Sequence, residues 1–195
     1  DTVRARVTRV KKQFVEARTE SIVHPSPHRT VPRCKAFGVC GGCRWQHLQY
    51  EAQLGFKRQQ VVDALERIGK LHGLQVNATL PSPDQYFYRN KMEFSFGERW
   101  LTREELDAAG GGEVRSRFAL GLHIPKRYDR VLDLEECWLL SERSHRIVNA
   151  VRSFCLHRGL SVYSSETHTG YLRNLVIREG SNTGELMVNL VTTDE

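Results

Sequence analysis

The chain has 195 residues, enough for one or two modest domains. Lysine and arginine outnumber aspartate and glutamate by 29 to 23, which gives a net charge of +6, an isoelectric point of about 9.2 and a mean hydropathy of −0.48. This balance favours a polyanionic partner without requiring one. No apolar run approaches the ~18 residues of a membrane span, and no basic-then-apolar leader opens the chain. We therefore expect a cytoplasmic protein without a membrane partner.

Residues 1–24 alternate twice between apolar and polar side chains, with a short turn-like break between the two runs. Period-two alternation predicts two strands joined as a hairpin. Two strands are only marginally stable alone, so we expect the end of a small β-domain whose earlier strands precede this sequence. The proline-rich residues 25–33 indicate a linker. We predict a first domain at 1–30 and a second at 31–195.

The second domain combines predicted helices with predicted strands. Apolar residues recur at helical steps over 49–69 and 143–158; Ser141 is a suitable N-cap for the second helix, and a glycine ends each. Alternation predicts strands at 76–80, 86–97, 118–124, 172–178 and 185–191. A polar insertion at 98–116 carries Gly110, Gly111 and Gly112. We predict an α+β fold with a central antiparallel sheet and two main helices.

Three of the five cysteines, Cys34, Cys40 and Cys43, lie within ten residues, a spacing that favours a metal site over a disulfide framework. Thiolates suit iron–sulfur clusters and zinc alike. Cys137 is the natural fourth ligand, since Cys155 lies among apolar residues of a predicted helix and is expected to be a buried core residue. The spacing leaves a [4Fe–4S] cluster and zinc equally open, and zinc could also use His47.

Several segments resemble the iron–sulfur-containing bacterial 23S rRNA uracil-5-methyltransferases, in the order of that family and over nearly the whole chain. The similarity lies in residues 34–54, 57, 60–69, 88–96, 134–137 and 172–178. Cys-Lys-Ala-Phe-Gly-Val-Cys-Gly-Gly-Cys at 34–43 is the most specific of them.

The resemblance implies three domains in the complete protein. The first is a TRAM domain, a small oligonucleotide-binding β-barrel whose last strands would be residues 1–30. The second is a central domain that binds one [4Fe–4S] cluster, with ligands that map to Cys34, Cys40, Cys43 and Cys137. The third is a Rossmann-like domain that binds S-adenosylmethionine.

The reaction that the resemblance implies is methyl transfer to C5 of a uridine in 23S rRNA, through a cysteine thiolate that adds to C6 of the ring. No Gly-rich cofactor loop follows a strand here, because the glycines at 110–112 lie in the polar insertion. The nucleophile, the base and the S-adenosylmethionine site are expected beyond Glu195. We therefore assign no catalytic residue and expect this piece to be inactive alone.

The predicted RNA contacts are Arg89, Asn90 and Lys91. Arg89 and Lys91 would share one face of a strand, and the aromatic residues at 86–88 could stack on unpaired bases. An ordinary solvated face is the alternative interpretation. The apolar stripe of helix 49–69 would lack its catalytic-domain partner and could form a homodimer. The alternative functions are a stand-alone zinc-binding RNA-binding module and a small electron-transfer protein.

Overall fold

A computed structural model describes residues 1–101 and 118–194, so Gly110, Gly111 and Gly112 lie outside the described residues. The chain divides into two compact units. The first comprises Asp1–Pro32 and Trp45–Pro81, and the second comprises Arg33–Arg44 and Ser82–Glu195. The long helix predicted at 49–69 therefore groups with the N-terminal hairpin and not with the rest of the predicted 31–195 domain.

The first unit begins with the antiparallel hairpin predicted from the alternation. Strand β1 spans Thr2–Val10 and β2 spans Val15–His24, and every residue of both strands is exposed. The backbone N–H of Lys11 donates to the carbonyl of Phe14 and closes the turn (2.9 Å). The hairpin is confirmed, while its place in a TRAM domain stays a prediction.

The same unit contains helix α1, Tyr50–Asp63, which continues into one π-helical turn at Ala64–Ile68. The predicted helix is confirmed, and none of its residues is buried. The prediction of a strand at 76–80 is wrong, because these residues form no strand. This segment is hydrogen-bonded to helix α1. Arg58 Nε donates to the Val76 carbonyl (2.9 Å), and the Thr79 hydroxyl donates to the Leu54 carbonyl (3.0 Å).

The second unit is built on five strands: β3 Lys91–Glu98, β4 Phe118–Ile124, β5 Arg127–Asp133, β6 Leu172–Glu179 and β7 Leu186–Thr192. They form one antiparallel sheet with strand order β5-β4-β3-β6-β7. Helix α2 spans Glu142–His157. The predicted α+β class and central antiparallel sheet are confirmed, and β5 is a strand that the sequence pattern did not predict.

The core of the second unit lies between one face of this sheet and helix α2. Strand β3 alternates, so that Met92, Phe94 and Phe96 are buried while Lys91 and Glu93 are exposed. The buried residues form one cluster with inward residues of the neighbouring strands and of α2, among them Leu120, Val148, Cys155, Leu172, Leu175 and Ile177. Cys155 is fully buried, which confirms it as a core residue.

Helix α2 begins as predicted. The Ser141 hydroxyl oxygen accepts a hydrogen bond from the Ser144 backbone N–H (3.1 Å), which satisfies one of the N–H groups left open at a helix start. The same hydroxyl donates to Glu179 at the end of β6. The cap therefore also fixes the helix end to the sheet.

Arg152 joins α2 to β4 and β5. Its side chain is almost completely buried and its guanidinium donates to Asp133 Oδ1 (3.0 Å), to the Leu120 carbonyl (2.9 Å) and to the Leu134 carbonyl (2.5 Å). Asp133 Oδ1 also accepts from the Leu120 N–H (3.0 Å). Removing one partner of such a buried pair leaves the other charge without compensation.

Among the described residues, none of the helices combines the length and the apolar character that crossing a membrane requires.

We predict that Arg152→Leu lowers the free energy of unfolding by about 3 kcal/mol, because Asp133 and two carbonyls lose their buried donor. Urea denaturation followed by circular dichroism measures this change. Arg146→Leu is the matched control, since Arg146 is exposed on the same helix, and it should change stability by less than about 0.5 kcal/mol. Equal losses in both variants would contradict the assigned role of Arg152.

Candidate cysteine site and nucleic-acid interface

The first three cysteines lie on one loop of tight turns. The Phe37 N–H donates to the Cys34 carbonyl (3.1 Å), and the Cys40 N–H donates to the Ala36 carbonyl (2.8 Å). Gly38 adopts a φ of +91°, which a side chain would strain. Gly38 thus lets the backbone turn between Cys34 and Cys40.

The loop packs against strand β4. A Cβ on Gly42 would lie 3.0 Å from Leu122 Cδ1 and 3.5 Å from Cys40 Sγ, and a Cβ on Gly41 would lie 3.1 Å from the His123 carbonyl. The Gly42 N–H points at Cys40 Sγ, 3.4 Å away. Glycine at these positions lets the loop backbone approach both the sheet and the sulfur atom.

Cys137 follows β5 and is almost completely buried. Its backbone N–H donates to His145 Nε2 on helix α2 (2.9 Å). Cys43 packs against the core cluster to which Cys137 belongs. The fold therefore brings Cys137 to the loop that carries the other three cysteines.

Electrostatics indicate that the four thiols lie near one another. Burial raises the pKa of Cys34, Cys40 and Cys137, and the neighbouring thiols raise each of these pKa values further. Cys43 contributes to the raised pKa in all three cases. Backbone N–H groups oppose the shift, at Ala36 and Phe37 for Cys34, at Gly42 for Cys40 and at Leu139 and Leu140 for Cys137.

All four thiols are soft donors of the kind that an iron–sulfur cluster needs, and backbone N–H groups are directed at the sulfur atoms of Cys34, Cys40 and Cys137. Within residues 1–101 and 118–194, however, no group of three or more His, Cys, Asp or Glu side chains is arranged to hold a metal ion. The ligand set of Cys34, Cys40, Cys43 and Cys137 therefore stays a prediction. His47, the alternative zinc ligand, belongs to the first unit, and the four cysteines belong to the second.

An arginine beside the cysteine loop contacts three aromatic rings. Arg33 Cζ lies 3.6 Å from the ring centroid of Trp138, 5.2 Å from that of Tyr86 and 5.8 Å from that of Phe87. Tyr86 and Phe87 also pack on Trp138, with centroid distances of 6.4 and 5.6 Å. Sequence analysis missed Arg33 and Trp138, although each is adjacent to a predicted ligand.

The strand predicted to begin near Tyr86 is shorter than expected. Strand β3 starts at Lys91, and Phe87 has a φ of +58°, which interrupts an extended run. The Phe87 N–H bonds the Trp138 carbonyl (2.8 Å), and the Arg89 N–H bonds the Leu139 carbonyl (3.0 Å). The prediction that Arg89 and Lys91 share a strand face is therefore wrong, because residues 86–89 bond the segment after Cys137.

The three predicted RNA-binding residues have different environments. Arg89 is half-buried, with Nη1 3.2 Å from Met92 Sδ. Asn90 Oδ1 accepts a hydrogen bond from the Ser181 hydroxyl (2.6 Å). Lys91 is exposed and forms a 3.5 Å ion pair with Glu93, in which both side chains are about half exposed. Of the two charged residues among the three, Lys91 is the more exposed to solvent.

Sheet register adds a residue that sequence analysis did not assign to RNA. Arg178 on β6 pairs directly with Lys91 on β3, and it is exposed. Like charges directly opposite one another in adjacent strands are destabilising. Tyr88, 53% exposed, lies three residues before Lys91. An aromatic ring and two opposed cations thus occur close together in the chain and the sheet.

Comparison with known proteins finds relatives over nearly the whole chain. No family model matches the chain. An uncharacterised RNA methyltransferase of Chlorobaculum tepidum is 43% identical over 194 residues, which are 99% of this chain and 40% of that protein. A second uncharacterised RNA methyltransferase, of Bacteroides thetaiotaomicron, is 43% identical over 98% of this chain and 42% of that protein.

A solved structure of an RNA methyltransferase is also similar to this chain. The tRNA (uracil-54, C5)-methyltransferase of Pyrococcus abyssi, in complex with S-adenosyl-L-homocysteine, superposes with a TM-score of 0.61 and 29% identity, over 97% of this chain and 38% of that one. The resemblance to the RNA 5-methyluridine methyltransferase family is confirmed. The chain spans about two fifths of the length of the curated relatives it matches. The cysteine loop and the Lys91–Arg178 pair form the candidate sites of the present chain.

Proposed function

We propose that this chain is the iron–sulfur and RNA-binding part of an S-adenosylmethionine-dependent RNA uridine-C5 methyltransferase. The observation that carries the proposal is the match, over 97% of the chain, to an enzyme named for uracil C5 methylation and solved with S-adenosyl-L-homocysteine. The proposed substrate is 23S rRNA. Because the structural neighbour is named for tRNA, both RNAs belong in the binding experiment.

The chemistry explains why such an enzyme needs a dedicated RNA-binding part. Uridine C5 is a poor nucleophile, so a thiolate must first add to the ring, and the base must be unstacked to reach a pocket. We assign neither the nucleophile nor the S-adenosylmethionine site to residues of this chain. The role proposed for its residues is to hold the RNA and to maintain the structure around the thiols.

Cys34, Cys40, Cys43 and Cys137 would hold a [4Fe–4S] cluster. Support comes from Cys34, Cys40 and Cys137, whose pKa values are raised by burial and by neighbouring thiols, and from the backbone N–H groups that face these three sulfur atoms. When bound, the cluster would supply iron–thiolate bonds that cross-link the cysteine loop to the segment after β5. The proposed role is structural, since methyl transfer involves no net oxidation.

The proposed RNA surface centres on Lys91 and Arg178, with Tyr88 and Arg89 beside it. Two exposed cations paired across adjacent strands lose their mutual repulsion when a phosphate lies between them. The half-exposed ring of Tyr88 suits stacking on an unpaired base. Asn90 positions the surface, because it bonds Ser181 in the loop between β6 and β7.

We predict that the chain, prepared without oxygen, holds about four irons and shows a broad absorption band near about 400 nm. Cys34→Ser and Cys137→Ser should each lose most of the iron, since each removes one corner ligand. Iron, sulfide and zinc assays on the same samples, with the absorption spectrum, measure this.

Cys155→Ala is the matched control, because Cys155 is a fully buried cysteine in the core of the same unit. It should keep the iron of the parent chain. One zinc per chain and no colour would instead support the stand-alone zinc-binding RNA-binding module. Iron loss in the Cys155 variant equal to that in the Cys137 variant would contradict the assignment of ligands.

We predict that Lys91→Gln and Arg178→Gln each weaken binding to uridine-containing 23S rRNA stem-loops. Each should reduce the slope of log affinity against log salt by about 0.7, because one phosphate contact to single-stranded RNA is lost. Fluorescence anisotropy at several salt concentrations measures both quantities, and a tRNA is titrated in parallel. The free energy of unfolding should stay the same or rise by up to about 0.5 kcal/mol, since the cross-strand repulsion is relieved.

Arg127→Gln is the matched control. Arg127 is as exposed as Lys91 (47% against 50%), but it pairs with Asp129 at 2.7 Å and lowers the pKa of that carboxyl to about 2. This variant should change neither affinity nor salt slope. A chain that binds RNA with the same salt slope in all three variants would exclude the Lys91–Arg178 pair as a phosphate contact.

A further inference from the structure

The contacts of Arg33 join two segments that are about a hundred residues apart in the sequence. Arg33 directly precedes Cys34, and Trp138 directly follows Cys137. The Arg33 guanidinium lies 3.6 Å from the centroid of the Trp138 ring. A contact between these two side chains therefore holds the backbones of two predicted ligands side by side.

The aromatic side of this contact is built by the rest of the unit. Tyr86 and Phe87 pack on Trp138, and the Phe87 N–H donates to the Trp138 carbonyl (2.8 Å). Phe87 adopts a left-handed backbone conformation (φ +58°), which is strained for an aromatic residue and persists only where the surroundings determine it. The rings are thus fixed by the fold of residues 86–89 and 138, without any contribution from the cysteines.

The arginine side of the contact is a guanidinium that stacks on aromatic rings. Among the described residues, Arg33 forms no ion pair with a carboxylate, and its guanidinium contacts the rings of Tyr86, Phe87 and Trp138. A planar guanidinium stacks on such rings better than an ammonium group does. Trp138 Nε1 is buried and finds no hydrogen-bond partner within residues 1–101 and 118–194, while its ring contacts Arg33, Tyr86 and Phe87.

We propose that Arg33, Tyr86, Phe87 and Trp138 form a clamp, the Arg33 clamp, that positions Cys34 beside Cys137 before any metal is bound. The clamp is a positioning device and contributes no ligand. Without it, the start of the loop at Cys34 would lose its side-chain tie to the Cys137 segment, while Gly41, Gly42 and Cys43 would still pack against β4 and the core. The role of the Arg33 clamp in metal binding rests on the proposed cluster, whereas the contacts that form the clamp do not depend on it.

The decisive measurement uses the metal-free chain. Each cysteine is labelled with a pulse of iodoacetamide, and the labelled fraction at each position is determined by mass spectrometry of peptides. For Arg33→Gln we expect Cys34 and Cys137 to react about fivefold faster than in the parent chain, because an exposed cation–π contact of this kind shifts an equilibrium by that order. Cys155, fully buried in the core, should remain unreactive.

Matched variants separate positioning from general stability. Arg44→Gln changes an exposed arginine that flanks Cys43 on the same loop and contacts no aromatic ring among the described residues, so its labelling rates should equal those of the parent. Trp138→Leu should reproduce the effect of Arg33→Gln, and the double variant should be no faster than the faster single variant. Arg33→Lys keeps the charge and loses the stacking, and it should give intermediate rates.

Unchanged labelling of Cys34 and Cys137 in Arg33→Gln would overturn the proposal. So would a parallel rise at Cys155, which would show a loss of the whole fold, and so would additive effects in the double variant. Where the parent chain carries iron, release of iron to a chelator should also be about fivefold faster in Arg33→Gln. A parent chain without iron would refute the proposed cluster, while the labelling rates would still decide the Arg33 clamp.

Discussion

The pairing of β3 with β6 fixes the positions of the other elements in the second unit. The two strands are about eighty residues apart in the sequence, and their register places Met92 beside Ile177 and Phe94 beside Leu175, all facing the core. A slip of one residue would turn these side chains to solvent and bring charged ones inward. The same register also sets Lys91 opposite Arg178 on the exposed face. Core burial and the opposed cations therefore follow from one constraint.

The thiols show how burial and ligand chemistry oppose each other in this fold. Removing Cys34, Cys40 and Cys137 from water raises their pKa values, which favours the protonated form, although a metal ligand must be the thiolate. Backbone N–H groups directed at the same sulfur atoms act in the other direction. At Cys40 this donor is the N–H of Gly42, whose missing side chain lets the backbone approach the sulfur atom, while Gly41 lets the loop approach β4. The motif therefore needs its glycines as well as its cysteines.

Periodic patterns predicted what depends on local sequence. The hairpin β1–β2, the cap at Ser141 and the hairpin β6–β7 were all predicted, because alternation and turn residues determine them within a few positions. Strand β5 was missed because its polar residues at 127–130 hide the alternation. The shorter β3 depends on the bond from the Phe87 N–H to the distant Trp138 carbonyl. The absent strand at 76–80 depends on the bond that Arg58 Nε donates to the Val76 carbonyl. Arg178 and the Arg33 clamp could not be found without the register and the packing.

Residues 86–91 connect the cysteine site to the proposed RNA surface through consecutive contacts. Tyr86 and Phe87 pack on Trp138, next to Cys137, while the Arg89 N–H bonds the Leu139 carbonyl. Asn90 then bonds the loop after β6, and Lys91 opens β3 opposite Arg178. The backbone of this segment is therefore fixed at one end by the neighbours of a predicted ligand and at the other end by the strand that carries the cations. The proposed cluster beside Trp138 would thereby stabilise the geometry that places Lys91 and Arg178 together, a structural role that needs no electron transfer.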